Sequence, residues 1–270
     1  MARLSGSEAK SGNRFNAGSW QLDAVRIITA AAFFVVWEAG TRVGALSEFV
    51  LPAPSVILRQ LWDELLSGKL TMDVQATLVR LFTGFLIAAA IGIPLGILVG
   101  RVKIIRWFCD PLISLALPLP QIAFLPIIVL WFGVGDTAKI TLIVFSTIFP
   151  IVVHTAAGTQ AIDKLIVWSA ESLGVSRYGF IWQIAVPAAM PQIFTGLQIA
   201  LPIALITTIV VEMLMGGSGI GSSIINGMRM SDSPELFSGI VMVALVGYAL
   251  AKIMEFIRKA LLTWHQETAA

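Results

Sequence analysis

Long apolar runs alternate with short polar breaks along most of this chain. The hydrocarbon core of a bilayer takes about 20 largely apolar residues per helix. Six runs meet that requirement, at approximately 22–41, 77–100, 112–133, 138–158, 192–215 and 236–257. The first is the most interrupted, because it carries Asp23, Arg26 and Glu38. The pattern predicts an all-α membrane protein with six transmembrane helices. Its apolar core is too long, and its flanks too charged, for a cleaved signal peptide, so the first run reads as a retained span. The polar stretch 1–20 then forms an N-terminal tail, 21–264 a single transmembrane domain, and 265–270 a C-terminal tail.

Composition supports the membrane class. The chain is 57% hydrophobic and 13% charged, with mean hydropathy +0.88. Soluble domains carry about 25% charged residues. A net charge of +2 offers no strong basic field for nucleic acid. The lone Cys109 rules out an internal disulfide and reads as a structural thiol. His154 and His265 lie far apart, and no Cys/His cluster has metal-ligand spacing.

Basic residues predict the orientation, since loops rich in Lys and Arg stay inside the cell. With the N-terminus inside, eleven fall on inner segments: Arg3, Lys10, Arg14, Arg26, Arg101, Lys103, Arg106, Lys164, Arg177, Arg258 and Lys259. Five fall outside: Arg42, Arg59, Lys69, Lys139 and Arg229. Arg80 and Lys252 lie within spans. Both termini are therefore expected in the cytoplasm.

The outer segment 47–72 contains LPAPSVILRQLWDELLSGKL. Ser55 is placed to cap a short amphipathic helix with apolar Val56, Leu58, Leu61, Trp62, Leu65 and Leu66 and polar Arg59, Asp63 and Glu64. It reads either as a partner-docking helix or as a plain surface helix.

The longest inner break is WSAESLGVSRYGFIWQIAVPAAMP, residues 168–191. Ile162, Ile166, Ser169 and Leu173 share one helical stripe, and Leu165, Trp168 and Ser172 the next. Gly174 suits the left-handed residue that ends a helix, and Ser176 suits the cap that starts another. The second helix is expected to weaken at Val186, before Pro187. Two short helices are thus predicted at an angle, along the inner membrane face.

This stretch resembles the cytoplasmic loop of ATP-binding-cassette (ABC) importer permeases, which reads Glu-Ala-Ala, three residues, Gly, nine residues, Ile, one residue, Leu-Pro. Ala170, Gly174, Ile184 and Pro187 match at that spacing, while Trp168, Ser169 and Val186 replace glutamate, alanine and leucine. LPAPSVI, PLPQIAFLPIIVLWFGVGDTAKI and VEMLMGGSGIGSSI are similar to the nitrate/sulfonate/taurine branch, and the likeness runs over about 51–265.

The resemblance implies a type I importer permease fold with cytoplasmic coupling helices, in a bacterial inner membrane. It implies a coupling loop over about 159–191, in which Leu165, Trp168, Ser169, Ala170, Glu171, Ser172, Gly174, Ile184 and Pro187 meet the ATPase. Glu171, one turn on from the family's acid, is expected to replace it. The implied partners are two cytoplasmic ABC ATPase subunits, a periplasmic or lipid-anchored substrate-binding protein, and a second permease copy in a homodimer within membrane lipid. No cofactor is expected in this chain; ATP and magnesium belong to the partner ATPase. GxxxxGK[ST] does not occur in the sequence, and no catalytic dyad stands out, so the chain reads as a transport subunit rather than an enzyme. The implied cargo is a small anion of the sulfonate, taurine or nitrate kind. Alternatives are a vitamin precursor carried by the same machinery, or a self-contained channel or secondary carrier.

Polar groups in spans are costly and mark function. Glu212 is a candidate pathway or gate residue, or else a wet interfacial carboxylate. Gln121, beside Pro120, and His154 are candidate pathway groups, or else hydrogen-bond a neighbouring helix. Pro118, Pro120, Pro126 and Pro150 suggest kinked helices, either lining the passage or bent for packing. Lys252 and Glu255 are expected to pair. The glycines of 216–221 read as a tight loop over the pore mouth. Gly84, Gly92, Gly96 and Gly100 form a small-residue face for close helix approach, a candidate dimer seam.

Overall fold

The computed structural model describes residues 19–45 and 47–262. The expected tails 1–20 and 265–270 lie almost wholly outside them. All regular structure among the described residues is helical. The elements are α1 (Ser19–Arg42), α2 (Pro54–Leu66), α3 (Lys69–Arg101), α4 (Lys103–Ala116), a 3-10 turn (Gln121–Phe124), α5 (Leu125–Phe132) and α6 (Asp136–Gln160). They continue with α7 (Lys164–Ser172), α8 (Arg177–Phe180), a π turn (Ile181–Ala185), α9 (Val186–Met215), α10 (Ile220–Met230) and α11 (Ser233–Leu261). Five helices are long and apolar enough to cross a membrane, and a sixth span exists if α4 and the 121–132 segment count as one broken span.

The chain divides into two compact units, Met1–Arg59 and Gln60–Ala270. In the first, Glu38 on α1 accepts from the Ser55 backbone N–H (3.1 Å) and the Ser55 hydroxyl (2.7 Å) while pairing with Arg42 at 2.7 Å. The sequence pointed to Ser55 as the cap of α2. Instead α2 starts one residue earlier, at Pro54, and the Glu38 carboxylate satisfies the free N-terminal N–H. Proline favours a first-turn position because it has no N–H to satisfy there.

In the second unit α3, α6 and α9 form the core. Leu81, Phe85 and Ala88 meet Ile143 and Ile151 of α6, and Ala200, Leu201, Ala204 and Leu205 of α9. Lipid is as apolar as leucine, so helices in a membrane are held by close packing and hydrogen bonds rather than by the hydrophobic effect. The glycine face of α3 supplies the close packing. A Cβ at Gly84 would lie 2.5 Å from Ile143 Cγ2, and one at Gly96 would lie 2.5 Å from Thr155 Cβ and 2.8 Å from the Val152 carbonyl. The face proposed as a dimer seam is thus covered by α6 of the same chain. Between α6 and α9, the Thr207 hydroxyl donates to Ser146 Oγ at 3.0 Å.

The kink expected from the prolines of the third span is present and sharp: α4 and the 121–132 segment are bent by 93°. Pro118 and Pro120 sit in the break, where neither has an N–H to donate to a helix ladder. At Pro187 the reverse holds. The helix does not break there; it runs continuously from Tyr178 to Met215. The π turn Ile181–Ala185 lies just before Pro187, and its wider ring absorbs the residue that a proline would otherwise force out. The predicted second interfacial helix is therefore the start of the fifth span.

On α2, Glu64 is buried rather than displayed. It accepts from Gln60 Nε2 (3.0 Å) and from the Ser238 hydroxyl of α11 (2.9 Å), while Trp62 and Leu66 are exposed.

The glycine face generates a stability prediction. Gly96→Ala should cost about 1–3 kcal/mol, the usual penalty for overpacking. Ala90→Leu, at an exposed position on the same helix, should cost little. Thermal unfolding of the purified protein in detergent checks both, and equal melting temperatures would contradict the packing described.

Candidate functional site

Opposite ends of the α3–α6–α9 core carry two distinct sites. One is at the α7 end. Asp163 caps α7 by accepting from the Leu165 N–H at 2.8 Å. The helix ends in a Schellman turn: Val175 N–H bonds the Ala170 carbonyl and Gly174 N–H bonds the Glu171 carbonyl, both at 3.0 Å. Gly174 has φ +70°, a left-handed conformation that glycine adopts without a Cβ penalty. Ser176 Oγ then accepts from the Gly179 N–H at 3.1 Å and starts α8. Both local turn expectations match this geometry.

Of the nine predicted coupling residues, Leu165, Trp168, Ser169, Glu171, Ser172 and Gly174 are exposed together on α7 and its terminal turn. Ala170 is buried, Ile184 is half-buried in the π turn, and Pro187 is exposed as the second residue of α9. Leu173, which the sequence placed on a stripe of this helix, is 82% exposed, and sequence reasoning missed Tyr178 and Trp182, which are 80% and 68% exposed. It also missed the anchor beneath them. The Arg101 guanidinium lies 4.7 Å above the Phe180 ring, and Arg101 Nη1 donates to the Thr159 carbonyl at 3.5 Å. That contact ties α8 to the last turns of α3 and α6. Arg106 closes the same end by donating to the Val99 and Gly100 carbonyls, which the end of α3 leaves free.

The other site is a polar clasp at the α10 end. Glu212, on α9, is 0% exposed. Its carboxylate accepts from Arg80 Nη1 (2.7 Å), Thr77 Oγ1 (2.9 Å) and the Gly221 N–H (3.1 Å). Arg80 spends its other donors on Asp136 Oδ1 (2.7 Å), the Ser218 carbonyl (2.7 Å) and Ser218 Oγ (2.8 Å). Asp73 Oδ1 accepts from the Gly219 N–H (2.9 Å), and Thr77 Oγ1 from the Ile220 N–H (3.0 Å). Lys139 donates to the Gly216 carbonyl at 2.6 Å. Three consecutive N–H groups at the start of α10, which a helix leaves without internal partners, are thus satisfied by side chains from α3 and α9. Gly219 has φ +117°, and a Cβ there would lie 2.3 Å from the Glu212 carboxyl carbon, so only glycine fits.

The four candidate pathway residues are not brought together. Pro120 and Gln121 lie at the broken span, where Gln121 Nε2 donates to the Ala116 carbonyl at 3.3 Å. The amide therefore satisfies a carbonyl freed by the break in its own span. His154 is half-buried where α6 meets Gly196 of α9. Sixteen residues of α9 separate Gly196 from Glu212 (212 − 196), about 24 Å of helical rise. Among the described residues no group of His, Cys, Asp and Glu side chains is arranged to hold a metal ion. Lys252 Nζ bonds Glu255 Oε2 at 2.9 Å, the expected pair.

A buried charge left without its partner costs about 3–5 kcal/mol, whereas an exposed pair contributes about 1 kcal/mol or less. Glu212→Ala should therefore destabilise the fold severely. Asp136→Asn, at a side chain 63% exposed, should be mild. Comparing the melting temperatures of the two purified variants checks the ranking, and equal losses would refute it.

Residues 92–263 match the family model described as "Binding-protein-dependent transport system inner membrane component". The taurine transport system permease protein TauC of Escherichia coli K12 is 30% identical over 244 residues, covering 88% of this chain and 89% of that protein. The putative aliphatic sulfonates transport permease protein SsuC of Bacillus subtilis 168 is 30% identical over 238 residues, covering 88% and 86%. The nitrate import permease protein NrtB of Leptolyngbya laminosa is 33% identical over 243 residues, covering 86% of each. With its apolar spans, its exposed α7 turn and this match over most of its length, the chain belongs to the inner-membrane components of binding-protein-dependent transport systems, as a permease of the ABC importer nitrate/sulfonate/taurine family.

Proposed function

We propose that the chain forms the translocation pathway of an ATP-driven importer for a small oxyanion, an organic sulfonate first among them. The energy comes from an ABC ATPase that docks on α7. One observation carries the docking: α7 is a capped, Schellman-closed helix that displays Leu165, Trp168 and Leu173 to solvent at one end of the core. Exposed aromatic and aliphatic anchors on a rigid support are what a protein partner buries at the centre of an interface. The eleven-to-five excess of basic residues favours placing this end in the cytoplasm, with both termini on the same side.

The reading extends to the assembly. Two copies of this chain flank the pathway, two ATPase subunits bind the two α7 helices, and a binding protein delivers cargo at the α10 end. ATP and magnesium act on the ATPase; the permease residues transmit motion. Pro120 and Gln121 at the broken span and His154 in the lower half of α6 face the passage. Glu171 stands in for the acid that Trp168 replaces, since it lies exposed on the turn that Gly174 closes. The relatives carry taurine, sulfonates or nitrate by name, and an oxyanion group is common to all three.

Three outcomes test this. A cysteine at Ser172, in a Cys109→Ser background, should form a crosslink to the co-expressed ATPase. Glu171→Lys should lower uptake of radiolabelled taurine or an alkanesulfonate by about tenfold, the loss expected when one charged contact in an interface is reversed. Transport that proceeds in liposomes from this chain alone, without an ATPase, would overturn the proposal in favour of a self-contained carrier.

A further inference from the structure

The glycine loop 216–221 has the composition of a moving flap, yet its bonding is that of a fixed wall. We propose that Arg80 and Glu212 are positioning residues that fuse α3, α9 and α10 into one block. The loop then stays shut onto that block throughout transport, and the passage opens by movement of whole blocks rather than of this loop. The proposal rests on the chain being a permease, and not on which solute it carries.

The geometry leaves the loop no slack. Asp73, Thr77 and Arg80 fall on one face of α3, at the spacing that places side chains above one another, and each reaches into 218–221. Glu212 meets them from α9 and binds the Gly221 N–H. Ser223, one turn into α10, donates to Asp73 Oδ2. Directly below, Ile220 and Ile224 are buried in the same core cluster as Leu81 and Ile209. Moving the loop off α3 and α9 would strip Arg80 of both its Ser218 bonds, and would leave the Gly219, Ile220 and Gly221 N–H groups without partners beside apolar surroundings. Unpaired backbone groups in such a setting are among the costliest states a membrane protein can visit. A flap that opens in every cycle would have to break and remake all of these bonds.

The elements flanking the block are held differently. None of the fourteen residues of α4 is buried, and in α5 only Ile128 is. Few buried contacts mark the segments that move at low cost. The broken span α4–α5 meets the block through apolar contacts, Ile128 sharing a cluster with Leu142 and Val211, and takes no part in the bonds that hold the loop.

Hydrogen–deuterium exchange of the wild-type chain in lipid nanodiscs, without nucleotide or solute, reads the first consequence. Amides of 219–223 should exchange as slowly as those of 203–212 in α9, and a difference of about a hundredfold or more in the direction of a mobile loop would overturn the proposal. Arg80→Met should accelerate exchange in 219–223, and Arg80→Lys should restore part of the protection. The second consequence is read in the assembled transporter. Asp73→Cys with Ser223→Cys, in a Cys109→Ser background, is oxidised to a disulfide between α3 and α10. The locked transporter should keep most of its ATP hydrolysis and its uptake of radiolabelled taurine. Loss of ATP-driven turnover that dithiothreitol restores would show the loop to be the gate. The exchange arm needs neither ATPase nor solute, so a failure of the docking or cargo reading appears as a transporter inert with or without the disulfide, while the exchange result still decides the loop.

Discussion

The Arg80–Glu212 ion pair is the constraint on which the α10 end of the structure depends. Neither group belongs in a span by itself, since a lone charge among apolar helices is expensive. Together they form a neutral pair that also reaches backbone, Arg80 donating to the Ser218 carbonyl and Glu212 accepting from the Gly221 N–H. The pair therefore does more than cancel its own charge. It supplies the Gly221 N–H of α10 with a partner, beside the two that Asp73 and Thr77 supply, and it places that turn against α3 and α9. The glycines follow from the pair, because a side chain at Gly219 would occupy the space of the carboxylate.

The α7 end is built by a different economy. Its turns are local: Asp163 binds two residues on, the Gly174 turn closes the helix with bonds spanning three and five residues, and Ser176 binds three residues on. Such a motif keeps its shape whatever covers it, which suits a surface that must meet another protein. Arg101 adds the long-range ties, over the Phe180 ring and onto the Thr159 carbonyl. Rigid local geometry on one end and long-range polar bonding on the other divide the labour of the molecule.

The same division explains what could be read from the sequence. The Gly174 and Ser176 turns were legible because their chemistry lies within five residues. The spans were legible because hydrocarbon thickness sets their length. The Arg80–Glu212 pair was not, although each residue stood out in its apolar run, because nothing local to position 80 identifies a partner 132 residues away. The glycine face of α3 announced a close neighbour without naming it, and α6 of the same chain answers as well as a second copy would. Prolines were legible at one place and misleading at another. Pro118 and Pro120 break the span they were expected to kink, whereas Pro187 sits in a helix that continues through it, with a π turn ending two residues earlier. Ser55 had the right side chain for a cap, but Glu38 reached the same N–H groups.

The clasp also has a consequence for how the chain is made. Arg80 enters the membrane with α3, but Glu212 is not synthesised until 132 residues later. At about 5–20 residues per second, the ribosome leaves that guanidinium without its carboxylate for roughly 7–26 s. During that interval Arg80 has only Asp136, and only once α6 has begun, so the translocon or the lipid headgroups must shelter it. Completion of α9 and α10 therefore marks the moment at which the newborn protein stops needing that shelter, and a chain truncated before Glu212 would carry a charge signal that membrane quality control can recognise.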